Sequence, residues 1–239
     1  MKALVTIAVA FLALAAVVWA DPQGPTSIAV ENGRQADRGT SSFPVVAQAG
    51  NVSRLDINDS RITTAWQGFY GNVSGSIVLD DAFNSTFFQW ASADPQGEIF
   101  ASNQSTVSWS NISCLNFTVA QPYGPNLSIL ERQYDIGEAD SDGFNETYTT
   151  FFTGSFDVGE VEIDSSDNCA QTYPFQNNQT QSAQFENVLL TDNLSVIFTT
   201  LIDPGVGYNG NSYDFQLLVA ENGTNNEQTT TYYLFVELT

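Results

Sequence analysis

Histidine is absent from this 239-residue chain, lysine occurs once, at Lys2, and there are two cysteines and one methionine. These gaps close off much of enzyme chemistry. Ser-His-Asp and Cys-His systems need an imidazole base, Schiff-base catalysis needs a lysine amine, and His-ligated zinc sites need imidazoles. A carboxylate pair of the kind glycoside hydrolases use remains available, because its spacing is set only in three dimensions. Cations are as scarce as bases: six Lys plus Arg face 27 Asp plus Glu, a formal net charge of −21. Such a surface repels nucleic acid and anionic membranes, and it suits cation binding, high salt or a solvated coat.

Asn-X-Ser/Thr sequons, in contrast, are abundant. Twelve occur, at Asn51, Asn58, Asn72, Asn84, Asn103, Asn111, Asn116, Asn126, Asn145, Asn178, Asn193 and Asn222. With 20 Asn, and 44 Ser plus Thr among 239 residues, random placement would fill about four sequons. The excess predicts an exported protein whose exterior carries covalent N-glycans, at the cell surface or in the extracellular space.

The N-terminus agrees with export. Lys2 precedes an apolar stretch over residues 3–17, Val18-Trp19-Ala20 offers small residues at the minus-three and minus-one positions, and Asp21-Pro22 follows. Residues 1–20 read as a secretory signal cleaved after Ala20. Two alternatives stay open. About 18 apolar residues are just long enough to span a bilayer and remain as an anchor. Lys2-Ala3-Leu4 also resembles the cleavage site of archaeal type IV pilins and archaellins, which keep the hydrophobic segment as a filament-core helix. A membrane contact is expected only if residues 1–20 are retained.

Two cysteines in an exported chain pair with each other, so Cys114 and Cys169 are expected to form a disulfide. Closing a loop of that length stabilises the fold by roughly 4 kcal/mol in the chain-entropy model.

Composition shifts mark the organisation. Residues 21–42 are rich in Gly, Pro and polar residues, interrupted by one apolar patch, Thr26, Ser27, Ile28, Ala29 and Val30. They read as an extended arm. From residue 43 to 239, runs dense in β-branched and aromatic residues alternate with Asn, Gly, Asp and Pro. Strands are predicted over residues 43–48, 52–57, 63–70, 74–79, 86–91, 98–102 and 114–119, and then over 147–153, 156–163, 185–190, 195–202, 213–219 and 230–238. The pattern predicts a single all-β domain, an antiparallel sandwich or jelly-roll-like barrel. One short helix is expected over residues 125–134, with Leu127, Leu130 and Tyr134 on one face.

Candidate chemistry is sparse. Glu138, Asp140 and Asp142, followed by Gly143, repeat the alternating-acid start of an EF-hand loop and make a candidate calcium site, although Thr149 stands where a twelfth-position Glu belongs. Glu160, Glu162 and Asp164 share one face of a predicted strand, and Asp203, Asn209, Asn211 and Asp214 supply oxygens in a Gly-rich segment. Trp66, Phe69, Tyr70, Phe87, Phe88, Trp90 and Trp109 offer either core packing or a sugar-stacking platform.

The segment from Trp66 to Leu79, the run Asp94-Pro95-Gln96-Gly97-Glu98-Ile99-Phe100-Ala101-Ser102, the run Asp214-Phe215-Gln216-Leu217-Leu218-Val219 and the ending Thr231-Tyr232-Tyr233-Leu234-Phe235-Val236-Glu237-Leu238 resemble a group of exported archaeal β-rich surface glycoproteins of unassigned activity. The resemblance implies an archaeal cell-surface or secreted protein and carries no catalytic residues with it. The expected function is a non-enzymatic structural subunit of an extracellular filament, sheath or surface layer. Its partner would be itself, assembled by strand exchange through the arm. A carbohydrate-binding or adhesion module that uses exposed aromatics is the alternative. Contacts are expected in the longest sequon-free stretches, residues 21–50, 146–177 and 194–221.

Overall fold

The computed structural model describes residues 21–31, 33, 44–60, 62–91, 96–116, 127–137, 139–177, 184–221 and 229–238. In chain order, the first four strands are β1 (Trp66–Gly71), β2 (Ser76–Asp80), β3 (Thr86–Ala91) and β4 (Gly97–Ser102). A single 3-10 turn at Trp109–Asn111 leads into β5 (Ser113–Cys114). Two short helices follow, α1 (Leu127–Gln133) and α2 (Phe144–Thr147), and then β6 (Thr150–Phe151), β7 (Ser155–Val158), β8 (Val161–Asp164) and β9 (Ala170–Thr172). The chain ends with β10 (Asn187–Thr191), β11 (Val196–Leu201), β12 (Gly205–Val206), β13 (Ser212–Tyr213), β14 (Phe215–Ala220) and β15 (Tyr233–Leu238). All pairings are antiparallel, so the fold is all-β and sandwich-like, as predicted.

The centre is a seven-stranded sheet in the order β15-β4-β11-β10-β9-β6, with β5 also paired to β10. Its middle strands are apolar on both faces, and β10 is buried at every position. One face carries Ile99, Ala101, Leu189 and Phe198, which pack with Leu127 and Leu130 of α1, Phe144 of α2 and Leu217 and Val219 of β14. The other face carries Phe100, Val188, Leu190 and Ile197, covered by Trp109, Phe152 and the β7–β8 residues Phe156, Val158 and Ile163. The core is therefore two layers deep, one on each side of the sheet.

Buried polar groups stitch these layers together. Asn187, fully buried, donates from Nδ2 to the Gln216 carbonyl at 2.7 Å and accepts from the Leu218 N–H at 2.7 Å, tying β10 to β14. A buried amide is retained only where its donors and acceptors are satisfied, and both sides of this one are. At the β10–β11 turn, the Asp192 carboxylate accepts from the N–H groups of Leu194 and Ser195, while Asn193 takes φ +69, a left-handed conformation that Asn tolerates. Burial alone would raise the Asp192 carboxyl; donors from Ser195, Leu194 and Ser108 overcome it and hold the group below its usual range. The predicted disulfide is present, joining Cys114 of β5 to Cys169 just before β9, with Cα atoms 4.7 Å apart.

Several predicted elements are corrected. Residues 44–60 contain no strand, and all are exposed, so the strands predicted over 43–48 and 52–57 are absent; residue 43 lies outside the described residues. Val45, Val46, Val52, Leu55 and Ile57 have the composition of strands but pair with no strand among the described residues. The predicted strand over 156–163 is a hairpin, because Gly159 at φ +59 turns the chain between β7 and β8. Most of 147–153 is not strand either: Thr147 closes α2, and only Thr150–Phe151 pairs. Strand β9 was not anticipated. The predicted helix is present as α1, with Leu127 and Leu130 buried.

Candidate functional site

Nine of the twelve sequon asparagines lie among the described residues; Asn126, Asn178 and Asn222 lie outside them. Asn51, Asn58, Asn72, Asn84, Asn103 and Asn111 are exposed, while Asn116, Asn145 and Asn193 are half-buried. None is in the core. Asn187 and its four hydrogen-bonded contacts form the one fully buried asparagine site among the described residues, and Asn187 is followed by Val188-Leu189, which makes no sequon. Asn145 Nδ2 donates to Glu131 Oε1 and Asn111 Nδ2 to Ser108 Oγ, each at 2.8 Å.

Exposed apolar side chains occur in the sequon-free stretches, such as Val30, Val46 and Leu194, and also on the β2–β3 hairpin. Among the described residues the β2–β3 hairpin pairs with no other strand, and its cross-strand pairs Ile77–Trp90 and Leu79–Phe88 place four large apolar side chains on one face. Phe88 and Trp90 meet edge to face at 4.7 Å. Phe83 and Phe87 are 88% and 84% exposed, and Trp90 is 52% exposed.

Other predicted aromatics are divided between core and surface. Trp66 is half-buried: its ring packs edge to face on Phe144 at 5.0 Å, and its indole N–H donates to the Asp142 carbonyl at 2.6 Å. Trp109 is buried against Phe100 and Phe235. Tyr70 remains on the surface and gathers Tyr208 at 5.0 Å and Tyr213 at 4.7 Å, with Asn209 Nδ2 donating to the Tyr213 hydroxyl at 3.0 Å. Sequence reasoning missed this trio because β12 and β13 bring Tyr208 and Tyr213 to β1 only in the fold.

The acidic candidates are engaged in local structure. Asp140 Oδ2 accepts from the Gly137 N–H at 2.8 Å, and Asp142 Oδ2 accepts from the Thr63 hydroxyl, so both brace the segment before α2. Glu138 lies outside the described residues. Asp164 caps its own turn through Ser166, and Asp214 accepts from the Val73 N–H at 2.8 Å. Among the described residues no three His, Cys, Asp or Glu side chains are placed to hold a metal ion. A surface cleft of about 290 Å³ between β11 and α1 is lined mostly by amides and hydroxyls, among them Asn103, Gln104, Gln133 and Ser195, and contains no carboxylate.

The carboxylates that do converge were not predicted. Glu98 of β4 and Glu237 of β15 are direct cross-strand partners, 6% and 7% exposed. Both oxygens of Glu237 accept from the Gly159 N–H, at 3.2 and 3.0 Å, whereas Glu98 Oε2 has no hydrogen-bond partner. Burial first, and then the charges of Glu237 and Asp157, push the Glu98 carboxyl up to about 8. Burial also raises Glu237; the Gly159 N–H opposes the rise, and Asp157 and Asp21 add to it.

The same corner anchors the arm. Gln23 forms a two-way β-bridge with Val236 on the outer edge of β15, at 3.1 and 2.8 Å, and Pro22 is buried. Asp21 lies against Gly159, where an added Cβ would meet Asp21 Oδ1 at 2.8 Å and its Cα at 3.6 Å. Beyond this root, Thr26, Ser27, Ile28, Ala29 and Val30 are exposed and belong to no strand, Val30 at 79%.

No helix among the described residues is long and apolar enough to cross a membrane. Comparison with family models, with curated proteins and with solved structures found no match to this chain.

Proposed function

We propose that this protein is a non-enzymatic, N-glycosylated structural subunit of the cell exterior that assembles with copies of itself. The observation that carries the reading is the placement of the sequons: every described one is exposed or half-buried, while the asparagine built into the core lies outside any sequon. A disulfide fits an oxidising, exported setting. The resemblance to exported archaeal surface glycoproteins supports an archaeal setting for that exterior. Exposed apolar groups support self-assembly: the arm residues Ile28 and Val30, and the β2–β3 face, whose turn carries the sequon Asn84. An arm that leaves from a sheet edge can add as a strand to another subunit's sheet, a head-to-tail contact that need not close. The test is glycopeptide mass spectrometry and electron microscopy of the native protein, with a variant lacking residues 24–42. We expect most of the exposed sequons to be occupied, ordered polymers in the native sample, and none from the variant. Bare sequons would sink the glycoprotein reading, and polymers that survive the deletion would sink exchange through the arm.

A further inference from the structure

Glu98 and Glu237 are a buried pair of like groups, and such a pair calls for a counter-charge. Two carboxyl groups face each other across neighbouring strands, more than nine-tenths buried, and one oxygen has no partner. Asp157 from β7 and Asp21 from the arm are the other charged groups that act on them, and both are acidic. The one ion pair among the described residues, Arg54 with Asp56, is highly exposed and local in sequence. Burying like charges together without a counter-ion is costly, and such a pair keeps a proton or acquires a cation.

The chain itself supplies a cation once it is cut. We propose that the α-ammonium group of Asp21, freed by cleavage after Ala20, is the counter-charge of the Glu98–Glu237 pair and fastens the arm root to β15. This rests on the reading of residues 1–20 as a cleaved leader. The Gln23–Val236 bridge and buried Pro22 fix the backbone leading to Asp21, which is itself exposed, and Asp21 lies beside Gly159, whose N–H holds Glu237. A chain that keeps Ala20 has a neutral peptide nitrogen at that position. Its ammonium is displaced by one residue, about 3.3 Å along an extended chain.

The experiment compares the oxidised chain beginning at Asp21 with the same chain beginning at Ala20, each with and without Glu237→Gln, by thermal melting from pH 5 to 9. Gln keeps an acceptor for the Gly159 N–H, so the substitution removes charge with little change of shape. We expect the Asp21 chain to melt about 3 °C or more above the Ala20 chain near neutral pH. An ammonium that gains a partner has its pKa raised above the ordinary value of about 7.7–8.0, so the gap closes as pH rises through that raised value. It also closes on acidification, as the carboxylates take up protons. In the Ala20 chain the raised carboxyls make stability climb as pH falls from about 8 towards 4.5, and Glu98→Gln flattens that slope. The two Glu237→Gln chains should melt alike. Equal melting of the unsubstituted pair, or a gap undiminished by Glu237→Gln, overturns the proposal. So does calcium that raises both chains and abolishes their difference, which would make the cluster a metal site. N-terminal sequencing of the native protein tests the leader separately: a first residue other than Asp21 overturns that reading and the proposal with it.

Discussion

Strands β10 and β2 are each five residues long and similar in composition, Asn-Val-Leu-Leu-Thr against Ser-Ile-Val-Leu-Asp, yet every residue of the first is buried and every residue of the second exposed. The difference lies in their neighbours. β10 has strands on both edges and a packed layer over each face, whereas β2 has only β3. Burial here is a property of topology, not of residue type. A two-stranded ribbon is marginal on its own, so the hairpin is stabilised by its attachment and by whatever covers its apolar face, while β10 is part of what makes the domain fold.

Three measurements break or sharpen this contrast. In the sheet, Phe198 is fully buried and its ring meets Tyr134, Phe144 and Tyr232; Phe198→Ala should cost about 3–5 kcal/mol in urea denaturation. A cost below about 1 kcal/mol would show that the sheet is not the centre of stability. Next, the Cys114→Ser, Cys169→Ser double variant opens a crosslink between residues 55 apart and should lose about 4 kcal/mol in the same titration. If reduction leaves the urea midpoint in place, the β5–β9 edge is held by its pairing alone. The smallest effect belongs to the hairpin: Phe88→Ala should change stability by no more than about 0.5 kcal/mol. Leu79→Ser with Trp90→Ser should instead weaken self-association in analytical ultracentrifugation. A hairpin substitution as costly as Phe198→Ala would erase the distinction between the two regions.

The fold class and the strands of the main sheet were legible in the sequence because alternation and β-branched runs survive wherever a strand has neighbours. The prediction over 86–91 coincides with β3, and those over 98–102 and 195–202 lie within a residue of β4 and β11. Residues 44–60 defeated the same logic: Val45, Val46, Val52, Leu55 and Ile57 have the composition of a strand and no partner. β9, three residues long, has no pattern to read; Cys169, tethered to Cys114, and the Phe152 N–H bonded to the Cys169 carbonyl set its place. Sequons announce themselves as short motifs. The carboxylate corner does not, because Asp21, Glu98, Asp157 and Glu237 are scattered from one end of the sequence to the other and meet only through the β4–β15 register and the Gly159 turn.

The bridge between Gln23 and Val236 has a mechanical consequence. With Gln23 fastened to β15 and Trp66 entering β1, residues 24–65 are a loop tied at both ends, not a loose tail. At roughly 3.3–3.6 Å per residue, its midpoint can stand at most about 70 Å from its roots. Any subunit it engages must lie within that radius, so the spacing of neighbours has an upper limit set by chain length, and no free end has to be threaded for two copies to be joined.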